Sequence, residues 1–291
     1  MGSDQKIKPK ILLLHPPAPK GLKYQLDGYC SQPQKGVFRW HPIDFYCLAS
    51  KLSPFCEVAI QDLGYTDRPF SFSIKAYDAV IGLIGAFSWD FLRHFWKGII
   101  DQGVAVYLTG DIARHDPAWV FSTLPGLQGI IPEMASPPSW EDLKNPSSPL
   151  VWRASSSEYR IPGVGQGFNI GLQPFSLWSK RIYRLPFDVS HPFASVLTQI
   201  GCPHQCQYCI LSSYAPAQRD YEELEEELKQ LKFLKIRHVY IRDGMLNTSE
   251  AHLEKICALM RKYRFTWNAF AHLLHMGKQA GLLKESGCKV L

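Results

Sequence analysis

The run AVIGLIGA, Ala79 to Ala86, carries no charged or polar side chain over eight residues. A strand with one wet face alternates apolar and polar residues. An uninterrupted apolar run of this length is instead the mark of a strand buried on both faces, as in a parallel sheet covered by helices. The segments around it fit that sheet. Lys10 to His15 (KILLLH) is halted by Pro16-Pro17, Glu57 to Leu63 (EVAIQDL) and Ala105 to Thr109 (AVYLT) are further short runs, and Gly129 to Ile131 closes the series. Helical spacing fills the intervals: Ile43 to Leu52, Trp89 to Ile100 with Ser88 as N-cap, and a helix opened by Asp116-Pro117, cap residue first and proline in the first turn. Over residues 1–135 this alternation predicts an α/β domain with a doubly wound parallel sheet of Rossmann or flavodoxin type.

From 136 to 191 the texture changes to SPPSW, NPSSP, ASSSE and PGVGQG, which reads as a linker region with a little local structure. Alternation resumes over 192–291. A strand is expected at Ser195 to Ile200, and then a helix at Tyr221 to Lys235 with Leu224, Leu228 and Leu231 on one face. A strand at His238 to Arg242, a helix at Ser249 to Lys262, a strand within FTWNAF (265–270) and another helix follow. At Lys289-Val290-Leu291 a new strand begins as the sequence stops.

Composition narrows the function classes. A chain of 291 residues, 46% hydrophobic and 20% charged, can bury two cores. No apolar run approaches the roughly 20 residues of a membrane span, and MGSDQKIKPK is not followed by the apolar stretch of a secretory signal, so a cytoplasmic protein is expected. The net charge of +6 is dispersed, which suits an anionic small molecule and does not point to nucleic acid or to a membrane. Of eight cysteines, Cys30, Cys47, Cys56, Cys257 and Cys288 show no mutual spacing and read as inert thiols.

The remaining three lie in GCPHQCQYC, residues 201–209. Thiolates are strong ligands for iron and zinc, and short intervals within one loop bring several sulfurs together at little entropic cost. Structural zinc takes four protein ligands; His204 lies between two of the cysteines in a very short loop, and no second ligand pair follows. A 4Fe–4S cluster on three thiolates keeps one iron open to a substrate or cosubstrate. The loop also follows a strand, and parallel α/β barrels place their active sites at the C-terminal ends of strands.

Cys202, Cys206 and Cys209, with Tyr208 directly before the third, form the CxxxCxxC signature, and here the chain resembles the radical S-adenosylmethionine (SAM) enzymes. The resemblance implies a 4Fe–4S cluster on the three cysteines, SAM on the open iron, and one-electron cleavage of SAM to methionine and a 5′-deoxyadenosyl radical. It implies Tyr208 beside SAM and Asp243, in Arg242-Asp243-Gly244-Met245, at the SAM amino group; an ordinary Asp-Gly strand-end turn is the alternative for Asp243. His272 stands where many relatives carry arginine, and it reads equally as a hydrogen-bonded strand-end residue. A doubly wound domain ahead of such a core, with Pro-Pro after the first strand and YRLPF at 183–187, is similar to the cobalamin-dependent class. That similarity implies a B12-binding-like first domain, with Ser88, Thr109 and Gly110 beside the nucleotide tail of cobalamin, although helix capping and turn formation account for Ser88 and Gly110 as well. The DxHxxG motif of many B12 enzymes is absent; HPPAPKG stands there. His15 and Trp40-His41-Pro42 either line the same cleft or pack the core.

A radical SAM barrel normally has six βα units, and about three are countable between Ser195 and Leu291. The expectation is a partial barrel, either a fragment of a longer protein or a half barrel needing a partner, with exposed edges that favour association. The implied activity is methylation of an unactivated carbon from methylcobalamin, or a rearrangement or cyclisation in cofactor or natural-product biosynthesis. The implied partners are a small-molecule substrate and an electron donor such as flavodoxin or ferredoxin. Two alternatives stand: a tRNA methylthiotransferase, against which the first domain offers no second cysteine set, and a non-catalytic iron–sulfur or corrinoid-binding module.

Overall fold

A computed structural model describes residues 8–19, 22–26, 31–34, 40–64, 73–85, 89–133, 136–156, 158–159, 167–177, 183–185, 189–209, 211, 214, 216–273 and 277–291. Two compact units divide the chain: Met1–Val37, Asp44–Pro162 and Gln173–Leu177 in one, Phe38–Ile43, Gly163–Leu172 and Trp178–Leu291 in the other.

The first unit begins with β1 (Lys10–His15), a hairpin of β2 (Lys23–Leu26) and β3 (Ser31–Gln34), α1 (Ile43–Leu52) and β4 (Glu57–Asp62). It continues with β5 (Ala79–Leu83), α2 (Trp89–Ile100), β6 (Ala105–Thr109), α3 (Asp111–His115), α4 (Pro117–Thr123) and β7 (Gly129–Ile130), and then a short α5 (Trp140–Lys144). Five strands form one wholly parallel sheet in the order β4-β1-β5-β6-β7. Ile11 to Leu14 and Ala79 to Leu83 are all buried, the consequence of helices covering both faces. α2 buries Trp89, Leu92, Trp96 and Ile99, one stripe at helical spacing. Trp96 lies so flat on the sheet that a Cβ at Gly82 would stand 2.1 Å from its ring, which is why this central strand carries a glycine.

The second unit holds β8 (Gly167–Phe168), β9 (Phe193–Val196), β10 (Gln199–Ile200), β11 (Ala217–Arg219), α6 (Tyr221–Phe233), β12 (His238–Ile241), α7 (Glu250–Lys262), β13 (Thr266–Asn268), α8 (Ala280–Glu285) and β14 (Cys288–Val290). Its main sheet is parallel and strictly sequential, β14-β13-β12-β9. Helices α6, α7 and α8 each connect one strand to its neighbour, the repeat from which a βα barrel is built. A small sheet, β10-β11-β8, stands beside it.

The expected strand at Ser195 to Ile200 is therefore two strands in two sheets. The break falls at Leu197-Thr198, because the N–H groups of Thr198 and Gln199 go to the Asp243 carboxylate and not to a ladder. The expected linker holds a short helix. Ser139 and Asp142 exchange side-chain-to-backbone bonds of 3.2 and 2.8 Å, a capping box that starts α5. Among the described residues no helix is long and apolar enough to cross a membrane.

Candidate functional site

The cysteine loop leaves β10 at Gly201, whose φ of 71° turns the chain without the penalty a side chain would incur. Cys206 is exposed, while Cys202 and Cys209 are half-buried, and none of the three is in a disulfide. Cys209 N–H donates to the Cys206 carbonyl at 3.0 Å, so the second half of the motif is a tight turn. The Tyr208 side chain is 92% exposed. Its phenol is pushed above the usual range by the charge of Cys206, by a hydrogen bond with that same side chain and, more weakly, by Cys209. The His204 ring stacks on His272 beyond β13, with centroids 4.5 Å apart. The loop thus lies at the C-terminal ends of the sequential sheet. Among the described residues no three His, Cys, Asp or Glu side chains form a group that could hold a metal ion as they stand, so the thiols share a loop without converging. In kind and in reach they fit a three-thiolate cluster: soft ligands, surface-facing, within eight residues.

Beneath the loop lies a buried polar network. Asp243, fully buried, accepts at Oδ1 from the N–H groups of Thr198 (2.7 Å) and Gln199 (3.1 Å). Its Oδ2 accepts from the Thr198 hydroxyl. His252 Nε2 stands 3.0 Å from that hydroxyl, and Tyr221 OH is 2.8 Å from His252 Nδ1. With the Thr198 hydroxyl donating to Asp243, His252 donates to that hydroxyl from Nε2, and the Tyr221 hydroxyl lies within reach of both His252 Nδ1 and, at 3.3 Å, Gln218 Oε1. Gln199 donates to the carbonyls of Met245 and Leu246, the latter at 3.0 Å, and accepts from the Thr248 hydroxyl at 2.6 Å. Asp243 thus stands as neither an open ligand contact nor a plain turn residue. Sequence reading missed Thr198, Gln199 and His252 because their partners lie some 45 residues away, beyond any local pattern.

Trp40 and His41 belong to this second unit. His41 Nδ1 is 2.9 Å from Ser195 Oγ, its ring packs on Tyr183 and Phe193, and burial together with Arg242 and His191 holds its pKa well below the usual range. Trp40 meets Tyr240 edge-on at 5.1 Å, and the Arg242 guanidinium sits 4.9 Å above the Trp40 ring. The stretch packs on β9 and β12.

In the first unit, the strand order makes β1 and β5 the point at which successive connections diverge, and such sheets bind ligands beyond the strand ends there. His15 ends β1 buried, with Nδ1 3.1 Å from Asp62 Oδ1, and so turns towards the neighbouring strand. Thr109 is buried at the end of β6, and its carbonyl accepts the Ile84 N–H at 2.9 Å. Gly110 has φ 126°, and a Cβ there would stand 2.0 Å from the Ile84 carbonyl oxygen, so this glycine is fixed by the close passage of two backbones. Arg114 and Glu133 form a buried pair at 2.9 Å past β6 and β7. Ser88 lies outside the described residues. The fit to cobalamin rests on this topology; His15 faces Asp62.

No protein-family model matches the chain, and no curated protein matches it. Among solved structures, it is similar to a radical S-adenosylmethionine methyltransferase, TsrM, from Kitasatospora setae, determined with cobalamin and a 4Fe–4S cluster bound. The TM-score is 0.64 at 14% identity, and the likeness covers 98% of this chain but 58% of that one. The likeness is one of fold: an α/β chain with a five-stranded parallel sheet followed by a second parallel sheet.

Proposed function

We propose that this chain is the cofactor-binding part of a radical SAM enzyme of the cobalamin-dependent kind, transferring a methyl group to an unactivated carbon of a small molecule. The observation that carries the reading is the placement of three cysteines, Cys202, Cys206 and Cys209, in one loop at the C-terminal ends of a sequential parallel sheet. The fold of the methyltransferase described above supports it, as does the flavodoxin-type strand order of the first unit. When bound, the cluster and SAM would supply one-electron chemistry and cobalamin the methyl group. This chain's own residues bind and orient. The three thiolates would hold iron and leave one coordination position open, and Tyr208 stands at the rim where SAM would approach. Asp243, its oxygens turned inward, supports the loop from behind. Beyond β1, β5 and β6, the ends at His15, Ile84 and Thr109-Gly110 would frame the corrinoid. A flavodoxin or ferredoxin is the proposed electron source.

Anaerobic reconstitution with iron and sulfide tests the reading, followed by dithionite and SAM. Expected are about four irons per chain, cob(III)alamin-type absorbance after incubation with the corrinoid, and formation of 5′-deoxyadenosine. Iron uptake without SAM cleavage would leave a binding module. No iron uptake would sink the proposal.

A further inference from the structure

The polar network under the cysteine loop has a shape that generic strand-end chemistry does not require. Two consecutive residues, Thr198 and Gln199, mark the point where the chain passes from the main sheet to the small one, three residues before Cys202. Both of their backbone N–H groups, the Thr198 hydroxyl and the Gln199 amide bond to one segment, 243–248, at the end of β12. Asp243 accepts both N–H groups and the Thr198 hydroxyl, while Gln199 spans the Met245 and Leu246 carbonyls and the Thr248 hydroxyl. Asp243, Thr198 and Gln199 are all at most 2% exposed. A carboxylate taken out of water at this depth is tolerated when its lone pairs are filled, and here three donors, the Thr198 and Gln199 N–H groups and the Thr198 hydroxyl, bond to it, with His252 behind that hydroxyl. The bonds are bidirectional: 198–199 gives three donors and one side-chain amide to the 243–248 segment and receives one hydroxyl from it. Such a pattern fixes both translation and rotation of one strand end against the other.

We infer that Asp243 and Gln199 are positioning residues which lock the base of the cysteine loop, so that the three thiols are presented from a rigid strand end. The inference rests on the reading of the loop as a cluster site, and it adds that the loop's own residues are not sufficient: the clamp on 198–199 sets how readily the sulfurs reach one cluster. His252 and Tyr221 extend the clamp to α7 and α6.

The test uses the whole chain and a variant series. Asp243→Ala removes the acceptor from two buried N–H groups, whereas Asp243→Asn keeps an oxygen for them and offers an amide that the Thr198 hydroxyl can accept from. Leu231→Ala, a fully buried α6 residue with no bond to the loop, serves as a control of global stability. In the apo protein, hydrogen exchange of the peptide covering 198–209 is expected to accelerate at least about tenfold in Asp243→Ala and Gln199→Ala, the factor that a lost buried hydrogen bond gives. Leu231→Ala should leave that peptide's exchange within about threefold once corrected for global stability, and Asp243→Asn should restore most of the protection. After reconstitution, iron content should fall at least about fivefold in Asp243→Ala, the electron paramagnetic resonance line of the remaining reduced cluster should broaden in Asp243→Ala and Gln199→Ala, and Asp243→Asn should keep both iron content and line shape close to those of the unchanged chain. Wild-type iron content and line shape in Asp243→Ala and Gln199→Ala would overturn the clamp and leave the cluster reading intact. Equal loss of iron in Leu231→Ala would also overturn it, reducing the effect to stability. Absence of iron in the wild type would sink the cluster reading, while the exchange data would still decide whether the clamp exists.

Discussion

Two glycines show how differently one residue type can be constrained. Gly98 lies inside α2 with nothing within 4 Å of the place a methyl group would take, so its only effect is the backbone entropy it brings to a helix. Gly98→Ala should raise stability by about 0.5–1 kcal/mol. Gly110, with φ 126° and the Ile84 carbonyl 2.0 Å from a prospective Cβ, admits no other residue without moving two strands. Gly110→Ala should cost at least about 2 kcal/mol, and urea unfolding of the pair measures both signs; equal effects would count against the geometry at the end of β6. Buried histidines add a pH dependence. Burial, assisted by Lys289, pushes the pKa of His238 down to about 4, and burial with Arg242 and His191 lowers that of His41. His238 is neutral in the folded chain at pH 5 and takes up a proton on unfolding below about 6.5, and His41 acts in the same direction. The unfolded chain binds more protons in this window, so stability rises with pH and is lost as pH falls from about 6.5 towards 4. His238 alone gives a limiting slope of about 1.4 kcal/mol per pH unit. His238→Gln should remove that slope and His41→Gln should lower the pH dependence further, both read from urea midpoints at pH 7, 6 and 5. At this scale the sequence spoke clearly only where spacing is short-range: the cysteine interval is visible in nine residues, but His41 against Ser195 joins positions 154 apart.

Elements were legible in proportion to how much of their stability comes from apolar burial. β1, β5, β6 and β12 are buried runs and were recognisable as such. The hairpin β2–β3, KYQL against SQPQ, has no apolar alternation and carries Pro33 in one strand. α5 buries a single apolar residue, Leu143, so periodicity had nothing to report and only the Ser139–Asp142 exchange marks it. The β11–α6 junction is held in a third way. Arg219, fully buried, places Nε 2.6 Å from Glu223 and Nη2 2.7 Å from Glu227, two successive turns of α6, while Asp220 caps the helix at 2.9 Å to both Glu222 and Glu223 N–H. Arg219→Met removes the cation that the buried Glu227 faces and should cost roughly 3–5 kcal/mol. Adding Glu227→Leu should recover most of that loss, since apolar groups of similar volume replace buried pairs at little cost. Denaturant midpoints of the single and double variants decide it, and a double variant no better than the single would mean that the junction depends on Arg219's bonds to the Leu197 and Gly171 carbonyls instead.

At the scale of the whole molecule, a run such as AVIGLIGA announces a buried strand but not its neighbours. The strand orders differ in kind: β4-β1-β5-β6-β7 reverses direction at β1, while β9-β12-β13-β14 proceeds without reversal. The reversal opens a ligand crevice at the switch point, whereas sequential winding collects the strand ends around one loop. No single strand encodes that difference; connection handedness and the covering of each face decide it, and both are properties of the assembled sheet. Two sheets with separate cores and separate candidate sites should also lose their ligands separately. With Cys202, Cys206 and Cys209 all changed to alanine, reconstituted iron should fall to background, because each sulfur is a proposed ligand and none contributes to the buried core of the first unit. Binding of hydroxocobalamin, followed by its visible absorbance on titration, should remain within about twofold of the unchanged chain, since a twofold change corresponds to only about 0.4 kcal/mol. Iron lost with corrinoid binding kept is the expected outcome, and joint loss of both would show that the two sites do not act independently.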